Sequence, residues 1–155
     1  MDSHAVYSRL TLSIYDYLVH AFSNRFIWGC PTRCILDLYQ DCISTTHLEL
    51  GVGTGFFLGS CSMPERTELT LVDLNPDCLN VAEERLRDVN IQLYRKNVLE
   101  PLRLGNRNFE SVGLNYLLHC LPGDMGEKCR VFDHVNNYLA SGGTVFGSTL
   151  VQDDV

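Results

Sequence analysis

Alternating strand-like and helix-like segments predict an α/β fold of three layers, a mostly parallel sheet of about five strands with helices on both faces. Three observations carry this. Short apolar and β-branched runs recur from residue 46 onward. Capped segments of helical period separate them. The glycine-rich junction Gly51-Val52-Gly53-Thr54-Gly55 closes the first run. Right-handed crossovers would place that first strand near the sheet centre, with ligand sites at the strands' carboxyl ends.

The elements follow in order. Residues 5–23 carry Val6, Leu10, Leu12, Ile14, Tyr17, Leu18 and Phe22 mostly at helical spacing, which predicts a helix. Gly29 and Pro31 interrupt it, and Pro31 suits the first turn of a second helix reaching about Cys42. Thr46 to Leu50 reads as a strand, and a helix should follow the glycines to about Cys61. Leu69 to Asp73 is a second strand. Asn75-Pro76 then supplies a helix N-cap and a first-turn proline, with the helix reaching about Val89. Ile91 to Tyr94 and Glu110 to Leu114 are the third and fourth strands, the latter ending at Asn115-Tyr116. Asp124 to Leu139 reads as a helix stopped by Ser141-Gly142-Gly143, and Thr144 to Val151 as the fifth strand. Without repeats or linkers the chain reads as one domain: residues 1–44 form a helical segment capping the site, and 45–155 the core.

Composition narrows the function. Of 155 residues, 45% are hydrophobic and 20% charged, so a core can form without disulfides or metal. The formal net charge of -7 argues against nucleic acid as a partner, since that needs a basic face to displace counterions. The 7 cysteines show no CxxC pair and read as reduced, buried thiols, with no metal site. No apolar run reaches the roughly 18 residues of a membrane span, and the start lacks the basic and apolar regions of a signal peptide. The expected setting is the cytoplasm, with no membrane partner.

The chemistry gathers at Glu49-Leu50-Gly51-Val52-Gly53-Thr54-Gly55. Glycines at a strand-to-helix junction let a ligand touch the main chain, although such a run can also be a plain tight turn. Asp73 ends the next strand, where a carboxylate can accept hydrogen bonds from both ribose hydroxyls; the plainer role is helix capping. A dinucleotide fingerprint would need glycine at residue 56, which is Phe56. The GxGxG spacing, with an acid two residues before it, suits a cofactor with an amino-acid end.

This segment resembles motif I of the class I S-adenosylmethionine-dependent methyltransferases, and Asp73 with Leu74 matches the family's ribose-binding strand end. Lys96-Asn97-Val98-Leu99-Glu100-Pro101-Leu102 is similar to the motif after the third strand, with Asn97 where an Asp usually holds the adenine amino group. Residues 111–123 resemble the pocket-lining segment after the fourth strand, and Ala140-Ser141-Gly142-Gly143 the turn before the fifth. Tyr15-Asp16, Ser23-Asn24, Trp28 and Cys30-Pro31-Thr32 resemble a small-molecule subgroup of bacteria and fungi. The resemblance implies a Rossmann-like fold that binds S-adenosylmethionine and releases S-adenosylhomocysteine. Its cofactor-binding residues would be Glu49, Gly51, Gly53, Gly55, Asp73, Leu74, Asn97, Val98 and Asn115. His119 would be the catalytic base, with Tyr15 and Tyr116 shaping the pocket. Each has a plainer alternative: a hydrogen-bonded structural histidine, and packing aromatics.

Members of this family normally have seven strands, the last two beside the fifth. Here the sixth and seventh are lacking, so the fifth strand would be a long apolar edge that invites a homodimer or another covering protein. The expected activity is methylation of a small molecule in secondary metabolism. The alternative is a methyltransferase-like protein without methyl transfer, serving as a natural-product cyclase, pericyclase or isomerase, or as a non-catalytic partner.

Overall fold

The computed structural model describes residues 30–151. The helix expected over 5–23, with Tyr15 and Trp28, lies outside the described residues.

The described elements run α1 (Thr32–Cys42), β1 (Thr46–Leu50), α2 (Phe56–Ser60), β2 (Glu68–Asp73), α3 (Pro76–Arg85), β3 (Asn90–Arg95), β4 (Phe109–Asn115), a 3-10 turn (Leu118–Cys120), α4 (Met125–Asn136) and β5 (Leu139–Ser148). The five strands form one sheet in the order β3-β2-β1-β4-β5. Every pairing is parallel. The first strand is central, as crossover handedness requires.

Strand periodicity divides the core into two layers. On one face Leu69, Leu71 and Phe146 pack with Ile35 and Tyr39 of α1, Phe57 and Leu58 of α2, and Leu79 and Ala82 of α3. On the other, Leu48, Leu50, Val72, Val112 and Leu114 pack with Val131 and Val135 of α4 and with Val98, Leu102 and Leu104. So α1 belongs to the main core through Ile35 and Tyr39.

Local signals set most boundaries. The Asn75 side chain accepts from the Asp77 amide at 2.9 Å, with Pro76 at the first helical position. Asp124 and Glu127 form a reciprocal capping box on α4. Several expectations need correction. α3 stops at Arg85, because Leu86 leaves helical angles and β3 already begins at Asn90. α4 ends at Asn136, and β5 begins at Leu139 rather than Thr144. Ser141-Gly142-Gly143 is not a helix stop. It lies within β5, where the register against β4 jumps from Phe109↔Leu139 to Ser111↔Thr144. This is a bulge, with Gly142 at φ 77°. Nor are the described thiols buried: Cys34, Cys120 and Cys129 are exposed, and Cys30, Cys42, Cys61 and Cys78 half-buried.

Candidate cofactor and active site

The glycine junction leaves the carboxyl end of β1 in left-handed backbone, with φ of 67°, 54° and 69° at Gly51, Gly53 and Gly55. At Gly53 that conformation turns the amide toward β2, where it donates to Asp73 Oδ2 at 3.0 Å. The Asn75 amide donates to Oδ1 of the same carboxylate at 2.9 Å. Asp73 is thus a clasp between the β1 loop and the start of α3. Burial raises its pKa above 3.8, and the amide donors of Asn75, Gly53 and Leu74 oppose that rise without cancelling it. Leu74, the next residue, is 48% exposed, an apolar surface beside a polar clasp.

The segments that follow β3 and β4 flank this junction on either side. Asn97 Oδ1 accepts from the Leu99 amide at 3.0 Å, which folds the chain after β3 into a tight turn. Val98 is buried in the core beneath it. Asn115, at the end of β4, is 7% exposed. Its Oδ1 accepts from Ser148 Oγ at 3.0 Å, while its Nδ2 has no hydrogen-bond partner. A buried donor without a partner costs about 1–3 kcal/mol, so this atom asks for an acceptor.

Tyr116 follows in left-handed backbone, φ 55°, which is uncommon for an aromatic residue. Its ring lies 6.2 Å from Phe57 and 6.0 Å from His119. Burial, with a smaller contribution from Cys30, pushes the Tyr116 hydroxyl up to about 12, so it stays protonated near neutrality.

Glu49 and His119 differ from expectation. Glu49 is 3% exposed, and both its carboxylate oxygens are engaged, by Tyr39 and His47. Its carboxylate is thus held at the root of the glycine loop, two residues before Gly51. His119 Nδ1 accepts from the Leu150 amide at 3.4 Å and faces Thr149 Oγ1 at 3.3 Å. A neutral ring with that acceptor carries its proton on Nε2. In that tautomer Nε2 is a donor. Burial, then Lys128, lowers its pKa below 6.5. Tyr15 lies outside the described residues. Sequence reading overlooked Tyr39, His47 and Ser111. The visible signal was the polar pair His47 and Glu49, alternating with Leu48 and Leu50 in a central strand.

A parallel sheet with its glycine loop and acidic clasp at the carboxyl ends of adjacent strands defines a nucleoside-cofactor α/β protein. Residues 48–145 match a family described as a methyltransferase domain. The chain is 38% identical over 156 residues to demethylluteothin O-methyltransferase of Streptomyces thioluteus, covering 100% of this chain and 68% of that protein. It is 41% identical over 150 residues to the physcion biosynthesis cluster O-methyltransferase of Aspergillus chevalieri, covering 95% and 67%. Among solved structures, an O-methyltransferase family protein from Burkholderia thailandensis superposes with a TM-score of 0.69 at 18% identity, covering 96% of this chain and 44% of that one. N-methyltransferase NodS of Bradyrhizobium japonicum WM9, in complex with S-adenosylhomocysteine, gives 0.63 at 20%, covering 75% and 60%. The chain belongs to the class I S-adenosylmethionine-dependent methyltransferase family. It spans about two thirds of the length of these curated relatives.

The residues present fit the family's cofactor. The Asp73 carboxylate suits a ribose diol, exposed Leu74 an adenine face, and the unpartnered Asn115 amide a carboxylate.

Proposed function

We propose that this chain forms the S-adenosylmethionine site of an enzyme that methylates a small molecule in secondary metabolism, in the cytoplasm. The observation that carries the reading is the placement of the Asp73 clasp and the unpartnered Asn115 amide at the carboxyl ends of β2 and β4, on either side of β1. The relatives' names supply the substrate class: they are O-methyltransferases of small-molecule biosynthesis.

Each residue has a task. The backbone of Gly51, Gly53 and Gly55 meets the methionine portion. Asp73 holds the ribose hydroxyls, Leu74 and Val98 flank the adenine, and Asn97 presents its amide to the base's edge. Asn115 donates to the methionine carboxylate. The cofactor, when bound, supplies a methyl group already activated by a positive sulfur. The protein's contribution is alignment and exclusion of water. Tyr116, protonated and locked in an unusual backbone state, shapes the pocket floor. His119 pins the chain after β5 to the pocket-lining turn and presents Nε2–H.

The outer edge of β5 completes the reading. Val145 is 36% exposed and Phe132 of α4 38% exposed, beside a strand edge that is unpaired among the described residues. A second copy of the chain covers this edge. Light scattering at micromolar concentration would show a dimer, and Val145→Lys would return a monomer. A monomeric wild type rejects the dimer.

Calorimetric titration with S-adenosylmethionine and S-adenosylhomocysteine tests the cofactor site, with micromolar binding expected. Transfer of label from S-adenosylmethionine to phenolic acceptors tests activity. Absence of binding would shift the fold to a role without methyl transfer.

A further inference from the structure

Helix α3 is tied to the glycine loop at both of its ends. At its start, the Asn75 amide donates to Asp73, the carboxylate that also holds the Gly53 amide. At its end, Arg85 Nη1 donates to Thr54 Oγ1 at 3.0 Å, across 31 residues of sequence. Between these ties the helix lies close on the loop. A Cβ added at Gly55 would stand 3.2 Å from Ala82 Cβ and 3.3 Å from Ala82 Cα. The Arg85 side chain also reaches past the loop. Its guanidinium lies over the Phe56 ring, 5.8 Å from the centroid. Its stem passes Gly59, where an added Cβ would meet Cγ and Cδ at 2.9 Å. One exposed side chain thus touches Thr54 of the loop and both Phe56 and Gly59 of the helix that follows it.

That segment depends on outside support. Gly51, Gly53 and Gly55 all hold left-handed angles, and glycine loses more conformational freedom on ordering than any other residue. The following α2 has only 5 residues, too few for a helix to sustain itself. Thr54 is 6% exposed and its hydroxyl accepts from Arg85, so the residue between Gly53 and Gly55 is anchored to α3. A cation in the last turn of α3 also favours the helix dipole, a task any basic residue fills. The bond to Thr54, made while the planar guanidinium lies over a ring, is what arginine adds.

We propose that Arg85 is a positioning residue: through Thr54 and Phe56 it holds the glycine loop in its binding conformation before the cofactor arrives, and so strengthens cofactor binding without touching the cofactor. This rests on the cofactor reading above and adds to it a residue of α3 that lies outside every motif of the sequence.

The test reads ligand affinity and loop exchange together. By calorimetry, Arg85→Met and Thr54→Val should each weaken S-adenosylhomocysteine about ten-fold, and Thr54→Val leaves the charge at the end of α3 in place. The double variant should bind no more weakly than Arg85→Met alone, because both changes remove the same bond. Thr54→Ser keeps the hydroxyl and should stay within about two-fold of wild type. In the ligand-free protein the Gly55 amide is bonded to the Val52 carbonyl and the Gly59 amide to the Gly55 carbonyl. Both should exchange with solvent about ten-fold faster in Arg85→Met and Thr54→Val. The Leu79 amide, bonded to the Asn75 carbonyl at the start of α3, should keep its wild-type rate. Arg85 is exposed, so Arg85→Met serves if Thr54→Val does not fold. Unchanged affinity in Arg85→Met, additive losses in the double variant, a Thr54→Ser loss as large as that of Thr54→Val, or weaker binding without faster loop exchange would overturn the inference and leave the cofactor reading standing. A wild type that does not bind S-adenosylhomocysteine would sink both.

Discussion

The two flanks of β1 differ in how complete they are. Toward β2, the loop, clasp and helix cap are bound to one another: Gly53 and Asn75 to Asp73, and the Asp77 amide to Asn75. Toward β5, Phe146 is buried against Tyr39 while its neighbour Val145 stands in solvent on the opposite face. The β2 side has its donors and acceptors fixed in place, as the proposed cofactor cradle requires. The β5 side offers a finished inner face and, among the described residues, an outer edge with no strand paired to it.

The sharpest way to probe this contrast is on one strand. Phe146→Ala should cost about 3–5 kcal/mol of unfolding free energy, whereas Val145→Ala should stay within about 0.5 kcal/mol for the unassociated protein. Denaturant titration of both variants reads the difference, and similar costs would erase the inner–outer distinction. Next in size is the clasp. Asp73→Ala removes a charged acceptor and should lower S-adenosylhomocysteine affinity about 100-fold by calorimetry, with the fold retained. A loss under about three-fold would mean the ribose lies elsewhere.

A smaller effect tests how far cradle and helix cap are separate. Asp124→Ala breaks the α4 capping box and should cost about 1 kcal/mol, without changing cofactor affinity. The smallest effect is in pH. Burial raises the Asp73 pKa above 3.8, so its favourable contribution to stability is fully present below 3.8 and is lost as pH climbs through the raised value. Against Asp73→Asn, wild-type melting temperatures should therefore decline from acid toward neutral pH. Cofactor affinity should run the other way, since ribose hydroxyls need the ionised carboxylate. Parallel trends in both would contradict the clasp.

Much of this was legible from local sequence. The glycine loop, Asp73 and the Asn75-Pro76 cap are short-range signals, because turn angles and helix starts depend on a few adjacent residues. β5 was read less well: Gly142 and Gly143 look like a terminator, but pairing with β4 absorbs them as a bulge. The Tyr39–Glu49–His47–Ser111 network was invisible for a similar reason. Its bonded members lie as far as 64 residues apart, His47 to Ser111, and meet only when β1, β4 and α1 stack. The hydrogen bonds that engage Glu49 and His119 were invisible for the same reason, because a sequence shows residue type but not where a lone pair points.

The cradle itself can be tested most directly by a crystal structure of the protein with S-adenosylhomocysteine. The ribose hydroxyls should sit on the Asp73 carboxylate, with the amino-acid end against Asn115 Nδ2. A cleft filled by the protein's own side chains, or a ligand bound away from β1 and β2, would contradict the account.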